Sequence, residues 1–221
     1  MPLDSARDKP VQFQVITSRP IVSHASTILD QVSLRVGSAN VWTGVQALSV
    51  VFVAVLTASA AQLSFPLPFT PVPFPIQPMI VLIGAAALGS RLGALSQILY
   101  LTLGLAGLPV FAFSPELPQG FLRLMGPTGG YLMAYPLAAF VTGLLAERGL
   151  DRRFLTSILA MTVGLSVIFA GGVLWLASGL GISAALAVGL YPFVLIDVIK
   201  VVAAGLVLPS AWKFLARTEP V

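Results

Sequence analysis

The run YPFVLIDVIKVVAAGLVL, Tyr191 to Leu208, decides how this chain folds. Its length approaches the roughly 20 apolar residues that a bilayer-spanning helix needs. Two charges interrupt it, Asp197 and Lys200, and their i,i+3 spacing puts both side chains on one helix face. These are the only charges well inside any apolar segment of the sequence. Ionised groups at membrane depth are expensive, so they face a bundle interior and pair there or line a site. One reading is a buried ion pair that ties helices together. The other is a polar ligand site, favoured because an intramembrane ionisable residue is by default a functional one.

Composition puts the rest of the chain in the same setting. Of 221 residues, 57% are hydrophobic and only 9% charged, with a mean hydropathy of +0.96. A soluble domain carries about a quarter charged residues, so the expected class is an all-α integral membrane protein. The net charge of +4 is not a nucleic-acid signature, because the basic residues are few and scattered. The absence of cysteine removes disulfide and thiolate chemistry. The single histidine, His24, lies in a polar arm and leaves a histidine metal site without material.

Residues 1 to about 40 are polar and mixed in charge, with short amphipathic turns on the membrane surface or disorder expected over 5–19 and 28–36. Six spans follow: about Val45–Leu63, Met79–Ser90, Leu92–Leu108, Tyr131–Ala146, Phe154–Leu180 and Tyr191–Leu208. In the first, Ala54 and Ala58 form a small-residue stripe suited to close helix packing. Phe65 to Pro78 holds six prolines, which exclude regular helix. Its apolar side chains predict a loop folded against the bundle. The second and third spans read as a tight hairpin, Gly171-Gly172 as a kink in the fifth, and 180–190 as a connection or helix extension. A second semi-apolar loop, from Pro109 to Pro127, carries Glu116, Gln119 and Arg123 and ends in Gly126-Pro-Thr-Gly-Gly-Tyr131. That glycine cluster reads equally as a tight turn or as a ligand-facing gate.

Lysine and arginine placement orients the bundle. With both termini inside, Arg7, Lys9, Arg19, Arg35, Arg91, Arg148, Arg152, Arg153, Lys213 and Arg217 are cytoplasmic, and only Arg123 is outside. The expected organisation is a cytoplasmic arm over 1–40, a six-helix N-in/C-in domain over 41–210 and a cytoplasmic tail over 211–221. Gln77, Arg123, Asp197 and Lys200 then share an address near the outer face. They supply donors and acceptors for a urea- or amide-like group and cations for a carboxylate. Tyr131, Phe111, Phe113 and Trp175 are candidate apolar walls, with plain packing or interface anchoring as the alternative.

Several motifs in order now acquire a common meaning. Thr70-Pro-Val-Pro-Phe-Pro-Ile-Gln77, Leu88-Gly-Ser-Arg-Leu-Gly-Ala-Leu-Ser96, Gly104-Leu-Ala-Gly-Leu-Pro-Val-Phe-Ala112, Gly126–Tyr131 and Asp197-x-x-Lys200 resemble the BioY family. That family comprises the biotin-specific substrate-capture (S) components of energy-coupling-factor (ECF) transporters. The resemblance spans about Val45 to Leu208. It implies a six-helix S-component bundle that binds biotin near the outer face, closed by the loop after the first helix. It further implies a transmembrane coupling subunit (T component) and a pair of ABC-type ATPases as partners, in the cytoplasmic (inner) membrane of a bacterial-type cell. Asp197 and Lys200 match the family's binding pair and Gln77 its loop glutamine; Arg123 matches by position in a loop of variable length. Alanine motifs on the first helix dock S components onto the coupling subunit, which gives Ala54 and Ala58 a second role. Self-association of the isolated chain stays open. The long arm departs from the pattern, as does Pro75, where the family has threonine.

Two other function classes were weighed against capture. No Gly-x-x-x-x-Gly-Lys-Ser/Thr loop exists in the chain, so ATP hydrolysis belongs to partners. A stand-alone secondary transporter of biotin or another small carboxylated vitamin, with Asp197 as proton relay, is the alternative. The lack of an evident inverted repeat argues against it. An intramembrane enzyme lacks its machinery, with no Gly-x-Ser-x-Gly, no His-Glu-x-x-His and no membrane histidine. No cofactor is expected, and biotin would be the transported ligand.

Overall fold

The structure is a computed structural model that describes residues 27–33, 39–65, 70, 72, 74–114 and 117–217. Expectations for residues 5–19, His24, Arg35, Glu116 and most of the proline loop lie outside the described residues. In chain order the elements are α1 (Ile28–Ser33), α2 (Ala39–Gln62), β1 (Ser64–Phe65), β2 (Phe74–Pro75), α3 (Gln77–Leu88), α4 (Ser90–Leu105), α5 (Phe121–Met125), α6 (Gly129–Glu147), α7 (Phe154–Leu180), α8 (Ile182–Gly189) and α9 (Tyr191–Arg217). The only strands among the described residues are β1 and β2, an antiparallel ribbon pairing Ser64 with Pro75 and Phe65 with Phe74. It closes the base of the proline loop.

Four helical stretches are long and apolar enough to cross a membrane: Val41–Gln62, Gly129–Glu147, Phe154–Leu180 and Tyr191–Leu215. The other two expected spans are shorter. α3 has 12 residues and α4 has 16, or about 18 and 24 Å at 1.5 Å per residue. Gly89, at φ 87°, joins them alone. That left-handed conformation suits glycine, and it turns the chain so sharply that a Cβ on Gly93 would meet the Ala85 backbone at 2.8 Å.

Close backbone approach also governs the α6–α7 pair. The Gly171-Gly172 step makes no break, since α7 is continuous from Phe154 to Leu180. A Cβ on Gly172 would collide with the Tyr131 ring, and one on Gly171 would reach Ala134 Cβ at 2.6 Å. These glycines are clearance for a neighbouring helix, along an α7 that runs through them without interruption. On α2, Ala54 is fully buried and Ala58 packs at the edge of the core. The small-residue stripe therefore meets the chain's own helices, and Ala54 is closed to any docking partner in this conformation.

The two ends of the bundle differ in chemistry. At one end Glu147 caps α4 by accepting from Ser90 N–H (2.7 Å) and Ser90 Oγ–H (2.9 Å). The Trp212 indole donates to Asp151 beside it, and Arg152 lies 4.8 Å over the Trp212 ring. α1 joins this end. Its reciprocal capping bonds, Asp30 N–H to Thr27 Oγ1 and Thr27 N–H to Asp30 Oδ2, are both 3.1 Å. With Thr27 and Leu29 buried, α1 packs on α2, α3 and α9. The segment 180–190 resolves into the separate helix α8. α9 continues past residue 210 to Arg217. The opposite end gathers the β-ribbon, residues 106–114 and 117–120, α5 and α8.

Candidate ligand site

The site begins with local constraints on the chain. Gln77 opens α3 with Pro78 behind it, a position where proline's missing N–H is not needed. Asp197 and Lys200 lie within α9, and Lys200 Nζ donates to Asp197 Oδ1 at 2.8 Å. Arg123 sits on the one-turn helix α5. Although these segments are far apart in sequence, Gln77, Arg123, Tyr131 and Asp197 line one cavity of about 550 Å³ of empty space. Val72 from the proline loop, Leu165, Ile168 and Phe169 from α7, and Phe193 from α9 make its walls mostly apolar.

Arg123 is the site's most distinctive group. It is 1% exposed, donating through Nη2 to Ala112 O (2.6 Å) and through Nη1 to Leu117 O (3.4 Å). Its Nε is buried without a hydrogen-bond partner, and among the described residues no carboxylate pairs with it. Burial lowers its pKa from the ordinary arginine value, with Tyr100 opposing the shift. That ordinary value is high enough for the guanidinium to stay charged at neutral pH. The Thr128 hydroxyl, also lining the cavity, is likewise buried without a partner. Unsatisfied buried polar groups are rare enough to need a reason. A bound anion would supply one for both.

Two expected residues lie elsewhere. Lys200 borders a smaller space of about 200 Å³ beneath the cavity, with Met79, Leu82 and Val201, and Asp197 lines both spaces. Phe113 is 59% exposed and outside the cavity lining. Of the other expected walls, Phe111 stands behind the cavity, edge-on to Tyr100 at 5.7 Å. Trp175 lies on the outward groove between α6 and α7, donating its indole N–H to Gly126 O at 3.0 Å.

Sequence reasoning did not single out Tyr100, Thr128 or Tyr135. Tyr135 lines the cavity four residues after Tyr131 on the same helix, a spacing that was available as a signal. Thr128 lies inside the glycine turn already noted. Another unanticipated feature is how the segment from Pro109 to Phe113 is held. Gln62 Nε2 donates to Pro109 O and Phe111 O, Tyr100 to Val110 O, Arg123 to Ala112 O and Ser64 to Phe113 O. Five consecutive carbonyls thus accept from side chains of α2, β1, α4 and α5. The proline loop is tied down across the cavity in a similar way, with Thr70 Oγ1 donating to Val188 O at 2.6 Å. Tyr131 donates its hydroxyl to the neighbouring Gly189 O at 2.7 Å. Among the described residues, no group of three or more His, Cys, Asp or Glu could hold a metal ion.

Comparison with known proteins places this geometry. The BioY family model matches residues 34–217, leaving α1 just ahead of the matched region. A probable biotin transporter BioY from Pyrococcus horikoshii is 40% identical over 161 residues, covering 72% of this chain and 91% of that protein. The biotin transporter BioY of Thermotoga maritima is 42% identical over 142 residues, or 64% and 81% of the two chains. A solved S-component for biotin from an ECF-type ABC transporter shares the fold, with a TM-score of 0.69 at 24% identity over 80% of this chain and 94% of that one. With all four candidate membrane spans inside the matched region, this multi-pass membrane chain belongs to the BioY family.

Proposed function

We propose that this chain is a biotin-binding membrane subunit that captures biotin at the outer face and mediates its uptake with ECF partners. The observation that carries the reading is a mostly apolar cavity in which a buried guanidinium and hydroxyl with unpaired atoms join an amide and a carboxylate. Biotin's own chemistry has the same division: a carboxylate at one pole, a ureido ring at the other and an apolar body between. Arg123 and Thr128 donate to the carboxylate. Asp197, held by Lys200, accepts from ureido N–H groups together with Gln77. The relatives are named as transporters, and the role assigned here is non-enzymatic.

Six crossings with both termini inside fit this role. Although short, α3 starts beside the cavity at Gln77 and ends at Gly89 against Glu147, and α4 returns. Arg91, Arg148, Arg152, Arg153 and Lys213 gather toward the end opposite the cavity, which the positive-inside rule assigns to the cytoplasm of the inner membrane. A T component and ABC-type ATPases supply the energy from that side. Ala58, at the edge of the core, remains the residue of the α2 stripe able to meet the T component, with Ala54 packing behind it.

Binding of radiolabelled biotin to the purified chain in detergent, with riboflavin and thiamine as competitors, tests the reading. Tight binding displaced by biotin alone is expected. A monodisperse sample that binds no biotin, or releases it to riboflavin or thiamine, would overturn it.

A further inference from the structure

Tyr100 does not line the cavity, yet it touches a residue that does. It is fully buried and packed edge-on against Phe111. Its hydroxyl oxygen lies 3.2 Å from Val110 O and 2.6 Å from Gln77 Nε2. A carbonyl oxygen can only accept, so the single phenol proton belongs to Val110 O. What remains toward Gln77 is a lone pair, which requires a donor. Only the Nε2 end of the Gln77 amide meets that requirement. The reverse amide orientation would set two acceptors against one proton and leave one of them unsatisfied inside the protein.

From this relay we infer that Tyr100 is a positioning residue that fixes the polarity of the ligand site. By holding Gln77 Nε2 away, it presents Oε1 to the cavity as an acceptor, so the site selects a ligand N–H at that point. Gln77 is 1% exposed, and among the described residues its Nε2 donates to Tyr100 while its Oε1 accepts no hydrogen bond. The loop segment therefore determines site chemistry at one remove: Val110 O orients Tyr100, Tyr100 orients Gln77, and Gln77 meets the ligand. The inference rests on biotin, with its ureido N–H groups, being the ligand.

A double-mutant cycle on biotin affinity tests it. Tyr100→Phe keeps the ring against Phe111 and removes only the hydroxyl. In the otherwise native chain it should weaken biotin binding by roughly tenfold, the worth of one well-made buried hydrogen bond. On a Gln77→Leu background, where no amide remains to orient, the same change should alter affinity by less than about twofold. Equal losses on both backgrounds would make Tyr100 a packing residue and overturn the inference, as would an unchanged affinity in the single variant. Matching affinities of Gln77→Leu and the double variant would also show that Tyr100→Phe leaves the fold intact. If the native chain itself binds no biotin, the ligand reading falls and this inference with it. A native chain that binds while Tyr100→Phe is silent removes the inference alone.

Discussion

Asp197 and Lys200 form an ion pair within α9, with the Asp197 side chain buried and Lys200 partly buried. Breaking such a pair strands a charge, at 2–5 kcal/mol for a buried, hydrogen-bonded partner (about this range). Asp197→Asn and Lys200→Ala should each weaken biotin binding by about a hundredfold or more, with monodisperse elution from a sizing column retained. Native affinity in both purified variants would remove the pair from the site. Arg123 calls for a different contrast, because its planar fork matches a carboxylate and an ammonium does not. Arg123→Lys should lose about tenfold or more toward biotin but little toward biotinamide, whose carboxylate is replaced by a neutral amide. Equal losses toward both ligands would mean that Arg123 holds the loop through Ala112 O instead of reading the anion. Gln77, Arg123 and Asp197, which line the cavity, stand out in the sequence because charge and amide groups are conspicuous in an apolar chain. Tyr100 does not. A tyrosine in an apolar helix reads as packing, and its role depends on a carbonyl ten residues away whose direction no spacing rule gives.

The helices were read with uneven success for a comparable reason. Long apolar runs declare themselves, and Phe154–Leu180 matched its expected span from end to end. Glycine pairs are ambiguous, since the same residues that permit a kink also permit a neighbour's close approach. At Gly171-Gly172, Tyr131 and Ala134 fill the space that a Cβ would take. Polar bonds between loops and distant carbonyls were invisible, and one of them ties the proline loop to α8. Thr70 Oγ1 holds the proline loop to Val188 O at the end of α8, while Val72, two residues on, lines the cavity. Opening the cavity by lifting this loop must break that bond. Thr70→Val preserves side-chain shape and deletes the donor, a change worth about 1 kcal/mol. Biotin should then dissociate about fivefold faster from the purified variant. Unchanged dissociation in a chase with unlabelled biotin would mean that the loop does not gate release.

The polarity of the molecule as a whole follows from where its charges fall. The end formed by α1, the Gly89 turn, the segment from Arg148 to Arg153 and the C-terminal part of α9 carries exposed arginine and lysine. At the cavity end, Arg123 is the basic residue among the described ones, and it is buried. Positive residues in short loops resist translocation across the membrane, so the proposed orientation puts the basic end in the cytoplasm and the cavity outward. Because the chain contains no cysteine, a single introduced thiol reports its own side of the membrane without any background to remove. Gln119 is exposed at the cavity end and Arg153 at the basic end. In intact cells, Gln119→Cys should react with a membrane-impermeant maleimide, while Arg153→Cys should react only after permeabilisation. Arg91→Cys, just beyond the Gly89 turn, should behave like Arg153→Cys if α3 and α4 both cross, despite their short lengths. Labelling of Arg153→Cys from outside would invert the bundle, and with it the direction of biotin capture. Labelling of Arg91→Cys alone from outside would keep the orientation but reduce the crossings to the four long helices. Whether uptake then requires ATPase partners is read in the same cells, where transport by the chain alone should be lost when those partners are absent and restored when they are supplied.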